Sequence, residues 1–198
     1  MACAWAHPSC PGQGSGLGIR GRRESNSCQR ALRTLAGESA PAEKVQAIVT
    51  MPDCGNLGAE TLVSFWQRPN PDIRLLRSWT VASAEINDRR TYRAARAALV
   101  DPSRSESFRL AALEVLVAGF DPSMAVTFPT PTKPMYSSYV GTGFINHRST
   151  AKGPQTVGVE ARGDLILLLK QLVGSDPNER IRKVAAELGP TLERRRLR

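Results

Sequence analysis

The sequence predicts an all-α protein: a short right-handed α-solenoid of about four antiparallel helix pairs, with an irregular or β-hairpin insertion before the last pair. Three observations predict it. Apolar residues recur at helical spacing between frequent Pro, Gly and Asp stops. Aromatic residues make up only 6% of the 198 positions, while Ala and Leu are abundant, a mix that favours close-packed helices over a β-sandwich. The starts of the second helices also recur: Val45, Ile73 and Phe108 follow one another at roughly 30-residue steps, and Ile181 comes after about twice that.

Residues 1–27 are rich in Gly, Ser and Arg and are expected to form a disordered basic leader. They lack the continuous apolar stretch of a secretory signal. The first helix is expected from Cys28 to Ala36, with Ala31, Leu32 and Leu35 on one face and Gly37 as its stop. Pro41 opens a second helix, with Val45, Ile48 and Val49 inward, which ends at Met51-Pro52. A third runs near Gly58 to Gln67 and carries Leu62, Phe65 and Trp66. Asn70 and Pro71 are expected to cap and open the fourth, which continues to Ile86 with Leu75, Leu76, Trp79 and Ala82 in phase.

Asn87 and Asp88 interrupt. The fifth helix spans Arg89 to Val100 with Tyr92, Ala95 and Leu99 apolar. Ser103 and Glu106 make a capping-box pattern for the sixth. Phe108, Ala111, Ala112, Val115 and Leu116 form one face of that helix, and Leu110, Leu113 and Val117 another. An all-round apolar helix is buried between neighbours. Gly119 is its expected stop, which closes repeats one to three over residues 28–119.

Residues 120–158 break the pattern with five prolines and several glycines. A short helix over Asp121–Phe128 fits, as does a hairpin of Met135–Val140 and Phe144–His147 around Gly141 and Gly143. Tyr136, Tyr139, Phe144 and His147 concentrate aromatic and imidazole groups there, as a cover over the groove between the third and fourth pairs, as a binding loop, or within a disordered segment. The last repeat, 159–190, is a Leu-rich helix from Glu160 to Val173 and a second helix with Asp176 as cap, Pro177 at its first position, and Ile181, Val184, Ala185 and Leu188 inward. Gly189-Pro190 reads as its stop, leaving 191–198 as a basic tail.

Two segments, Phe108-Arg109-Leu110-Ala111-Ala112 and Ile181-Arg182-Lys183-Val184-Ala185, each preceded by an Asp-Pro turn (Asp101-Pro102, Asp176-Pro177), resemble the second-helix start of HEAT-type repeats. The resemblance covers residues 28–188 apart from the insertion. Ile73-Arg74 departs from the pattern with Arg77 where Ala is expected, and Val45-Gln46 lacks the Arg. The resemblance implies a stack with a continuous apolar seam, in which Arg109 and Arg182 tie one repeat to the next through an acidic partner or a carbonyl.

Formal net charge is +9, which points to an anionic partner. Arg180, Arg182 and Lys183, leading into Arg194–Arg196, are candidate contacts beside the insertion aromatics. Cys28 and Cys54 flank two antiparallel helices, and two readings stand: a disulfide, or buried free thiols. The protein is expected to be soluble, in the cytoplasm or, with those cysteines paired, exported. No membrane span is present in the sequence. With two histidines, His7 and His147, and no Cys-x-x-Cys pair, neither a nucleophilic triad nor a structural metal is expected, and no cofactor is implied. The alternating Gly12 to Gly18 lacks a preceding strand and a following Lys-Ser/Thr, so it is no phosphate loop. Glu85 with Asp88, and Glu179 with Glu187, read as surface or capping carboxylates.

The expected function is a non-catalytic helical-repeat scaffold for protein–protein interaction, with a protein or peptide as partner. The alternative is a nucleic-acid-binding helical-repeat protein, a class that includes DNA glycosylases. Trp66, Trp79 and Arg77 support that alternative weakly, since helical phase buries both indoles.

Overall fold

The computed structural model describes residues 17–120 and 159–196. Among them the fold is all-helical, without a β-strand. Helix α1 spans Leu17–Ala36, so the boundary drawn after residue 27 falls inside a helix. No proline lies between Pro11 and Pro41, and glycine in a helix costs only about 1 kcal/mol, so nothing in that stretch blocks the backbone ladder.

Helix α2 spans Pro41–Thr50, with Pro41 in its first turn and the Glu43 carboxylate accepting from the Ala40 N–H at 3.2 Å. Val45 and Ile48 are buried, but Val49 is 40% exposed. The inward face of α2 is thus narrower than expected, because Val49 lies one position beyond the Val45–Ile48 stripe. A 3₁₀ turn at Met51–Cys54 leads into α3, Gly55–Gln67. This helix starts three residues earlier than expected, because Gly55 takes a positive φ of 55° that turns the chain. Gly58 is needed for a different reason: a Cβ there would lie 1.9 Å from the Met51 carbonyl oxygen.

A second 3₁₀ turn, Ile73–Leu75, precedes α4, Leu76–Ile86. The cap is Asp72, not Asn70. Its carboxylate accepts from the Arg74 N–H and guanidinium, at 3.0 and 2.9 Å, and this local clasp delays the α-helix. Asn87 ends α4 in the left-handed region, at φ 48°. Asp88 caps α5, Arg89–Val100, accepting from the N–H groups of Arg90 and Thr91 at 2.8 and 3.3 Å. Helix α6 is Glu106–Phe120. Ser105 caps it, its Oγ accepting from the Phe108 N–H. Ser103 donates instead to Asp101 at 2.6 Å. Gly119 does not stop α6, which extends to Phe120 and is buried on every side.

Helix α7 spans Val159–Ser175 and α8 spans Glu179–Arg196. Asn178, not Asp176, caps α8, accepting from the Ile181 N–H at 3.0 Å. The expected stop at Gly189-Pro190 and most of the expected tail are helical instead, with Pro190 inside α8. Leu192 is fully buried beyond it, and Glu193 pairs with Lys170 of α7 at 2.7 Å. These contacts compensate for the backbone bond that proline removes.

The packing follows chain order. Helices α1 and α2, α3 and α4, α5 and α6, and α7 and α8 pack in pairs, while α2, α4, α6 and α8 also pack successively on one another. Helix α3 packs on α5 as well. An aromatic cluster joins α3, α4 and α6: Phe65 stacks on Trp79 at 4.6 Å, and Trp66 lies 5.1 Å from Phe108. The buried Trp66 indole donates to Ser83 at 2.9 Å, which satisfies its polar edge. Both indoles are therefore core residues, as helical phase indicated.

Leu116 and Leu168 are buried in this core. Replacing either by Ala is expected to lower the unfolding free energy by about 2–5 kcal/mol. Urea titrations with an unchanged slope check this, and a neutral result for Leu116→Ala would refute the assignment of the α6 core face.

Candidate functional site

Long polar side chains from one helix pair reach into the next. The clearest is Arg109 on α6, only 2% exposed. Its Nε donates to the Leu99 carbonyl of α5 at 2.7 Å. Its two terminal nitrogens clasp the Asp176 carboxylate in the α7–α8 turn, one of them at 3.1 Å. Asp176 also accepts from the Asn178 N–H at 2.9 Å. Burial pushes the Asp176 carboxyl up, but the Arg109 guanidinium, the Asn178 N–H and the nearby Arg182 charge outweigh it and hold its pKa below the usual carboxylate range.

Two further links have the same form. Arg77 on α4 pairs with Glu114 on α6, a carboxylate only 5% exposed. Arg104 donates to the carbonyls of Gln67 and Arg68 at the end of α3 and lies over the Phe108 ring at 5.4 Å. Arg77, which breaks the Ala pattern in the sequence, thus has a partner that no local spacing announces. Glu114 lies 37 positions away.

The expected basic contacts divide. Arg180 pairs with Glu106 at the start of α6 at 2.8 Å. Arg182 donates to the carbonyls of Asp176 and Pro177 at 2.6 and 3.2 Å. Lys183 is exposed. Tyr136, Tyr139, Phe144 and His147, and with them the hairpin and the short helix of the insertion, lie outside the described residues. A disulfide joins Cys28 and Cys54, with Cα atoms 5.7 Å apart, and ties α1 to the turn before α3.

Between α3 and α5 lies an open groove of about 530 Å³, within the usual range of ligand sites, about 300–1,000 Å³. Val63, Ala94 and Ala97 supply its apolar lining, and Ser64, Gln67 and Glu60 its polar α3 edge. Arg90 and Arg93 stand on the α5 side. Arg90 is held by Asp88 at 3.2 Å and Asn56 at 3.2 Å, with Glu60 at 3.9 Å, whereas Arg93 is exposed. Small residues make the groove, since alanines on α5 leave space that larger side chains would fill. The sequence reading missed it because alanines at helical spacing read as ordinary packing.

Burial pushes the Tyr92 phenol far above its usual range, so it stays protonated. Among the described residues no three His, Cys, Asp or Glu side chains gather as a metal cage. Nor is any described helix long and apolar enough to cross a membrane. Comparison with protein-family models, curated proteins and solved structures found no match.

Two expectations follow from these links. Asp176→Ala leaves Arg109 buried without its counter-charge and is expected to cost about 3–5 kcal/mol at neutral pH. Because the folded-state pKa of Asp176 is depressed, its contribution is present above the unfolded value of about 3.9 and fades as pH falls below it. The gap between wild type and variant should therefore narrow as pH falls below that value, and a gap independent of pH would contradict the role given to this carboxylate. Separately, reduction of the Cys28–Cys54 bridge, which closes a loop of sequence separation 26, is expected to remove about 2–4 kcal/mol. The Cys28→Ser/Cys54→Ser variant should then unfold like the reduced protein, with no further response to dithiol.

Proposed function

We propose that this chain is a short α-solenoid of about four helix pairs, resembling HEAT-type repeats, that acts without catalysis as a scaffold for a protein partner. The observation that carries this reading is Arg109. It reaches the carbonyl of its own pair at Leu99 and the Asp176 carboxylate of the following pair, which is the linking role the repeat resemblance implies. Arg182 adds carbonyl contacts at the corresponding position of the last pair. Fully buried Ala112 and nearly buried Ala185 supply the small side chains that let neighbouring helices approach closely.

A scaffold of this type recognises partners with outward side chains on successive helices, because its interior is consumed by stacking. The α3–α5 groove offers such a surface. The nucleic-acid alternative draws on the overall positive charge, yet Arg180 and Arg182 point to internal partners and Trp66 and Trp79 are core residues. That leaves the glycosylase version without an exposed aromatic among the described residues to receive a flipped base.

The test is affinity capture on the immobilised protein from extract of its own host, run beside a DNA duplex titration at about 50 and 200 mM salt. A discrete protein retained through the higher salt, with no duplex bound, is the expected result. Duplex binding that collapses about 10³-fold or more between those salts, with no protein retained, would replace the scaffold with the nucleic-acid reading.

A further inference from the structure

We propose that the Cys28–Cys54 disulfide is a redox latch, opened by a dithiol reductant, that releases α1 from α2 and the first 3₁₀ turn while the later helices stay packed. The bridge joins two elements with unequal hold on the core. Cys54 ends the Met51–Cys54 turn, in which Met51 and Pro52 are buried. Cys28 lies on α1, which packs on α2 and on that turn. Over residues 28–36 of α1, Cys28 and Ala31 are buried, while Gln29, Arg30, Arg33 and Ala36 are exposed. Leu32 and Leu35 are only partly buried against the core. The apolar docking of this stretch is thus one alanine and two half-covered leucines, to which the bridge is added. The aromatic cluster of α3, α4 and α6 and the Arg77–Glu114 and Arg109–Asp176 pairs hold the other helices without it. A segment with so few buried contacts opens ahead of the rest of a fold, and a covalent closure suppresses that opening.

The two sulfurs also differ in access. Cys28 is 6% exposed, whereas Cys54 is half-buried beside the exposed Asp53 and Asn56. A thiolate of the reductant therefore attacks the Cys54 sulfur, the S–S bond breaks, and Cys28 leaves as a thiolate that takes up a proton. The second thiol of the reductant attacks the mixed disulfide, frees Cys54 and departs as a cyclic disulfide. The bridge has then gained the two electrons and two protons that the dithiol lost. The Thr50 carbonyl oxygen, 3.4 Å from the Cys54 sulfur, is in place to accept from the freed thiol. Helix α2 and the turn pack against both α1 and α4, and they bury Val45, Ala47, Ile48, Met51 and Pro52. Departure of α1 uncovers part of this apolar surface, which is the output of the latch.

Hydrogen exchange read by mass spectrometry tests this on the full chain, with Cys3→Ser and Cys10→Ser so that only the bridge responds to reductant. Dithiothreitol without denaturant is expected to open the bridge, seen as two added hydrogens in the intact mass. Exchange of the amides of residues 29–36 should then speed up about tenfold or more, with those of α6 unchanged. Reoxidation with diamide should restore the protection. Adding Cys28→Ser and Cys54→Ser should give the fast α1 exchange from the outset, with no response to dithiol. A bridge that resists the dithiol, or α1 amides equally protected in both states, overturns the latch. Loss of α6 protection in step with α1 overturns it too, because the bridge would then hold the whole fold together.

Discussion

The Arg109 side chain is the interaction on which the arrangement of the second half depends. A guanidinium taken out of water carries a desolvation penalty of several kcal/mol unless its donors are matched. Here Leu99 contributes a carbonyl and Asp176 a carboxylate, which come from two different helix pairs. Each partner is correctly placed only if α5, α6 and the α7–α8 turn hold their mutual positions. The pair therefore acts less as a source of net stability than as a constraint on which packing of these helices is tolerated. Apolar side chains such as Leu113 and Leu116 fill space in many registers, whereas a bidentate clasp accepts very few.

The same division of labour recurs across the molecule. Arg77 with Glu114 fixes α4 against α6, and Arg104 caps the exposed carbonyls at the end of α3 while covering the Phe108 ring. The aromatic cluster of Phe65, Trp66, Trp79 and Phe108 supplies bulk burial between these polar links. Helix α6 lies at their convergence and is buried on all sides, which explains why its sequence shows no single apolar face.

Much of the helix inventory was legible in the sequence because helical periodicity and capping residues are local signals. Helix α5 runs from Arg89 to Val100 as its pattern indicates, and α6 is buried all round as its composition requires. The misses have local causes as well. Asp72 displaces Asn70 as cap by clasping Arg74, and Ser105 displaces Ser103 because Asp101 engages the latter. Pro190 fails as a stop because a tertiary contact, the burial of Leu192, outweighs a local rule. The candidate site was far less legible. The groove arises from alanines on α5 opposite α3, and a pairing between elements leaves no trace in the periodicity of either one.

Net charge was the least informative of the sequence signals, and the structure shows why. Arg77, Arg90, Arg104, Arg109, Arg180 and Arg182 all have partners within the fold. Their charge is part of the architecture and is not available in full to a partner. An excess of basic residues thus measures both how heavily the helices are stapled and how cationic the surface is. Helix α5 separates the two uses within a few turns. At its end the Leu99 carbonyl is consumed by Arg109, and nearer its start Arg93 faces outward beside the small side chains of Ala94 and Ala97.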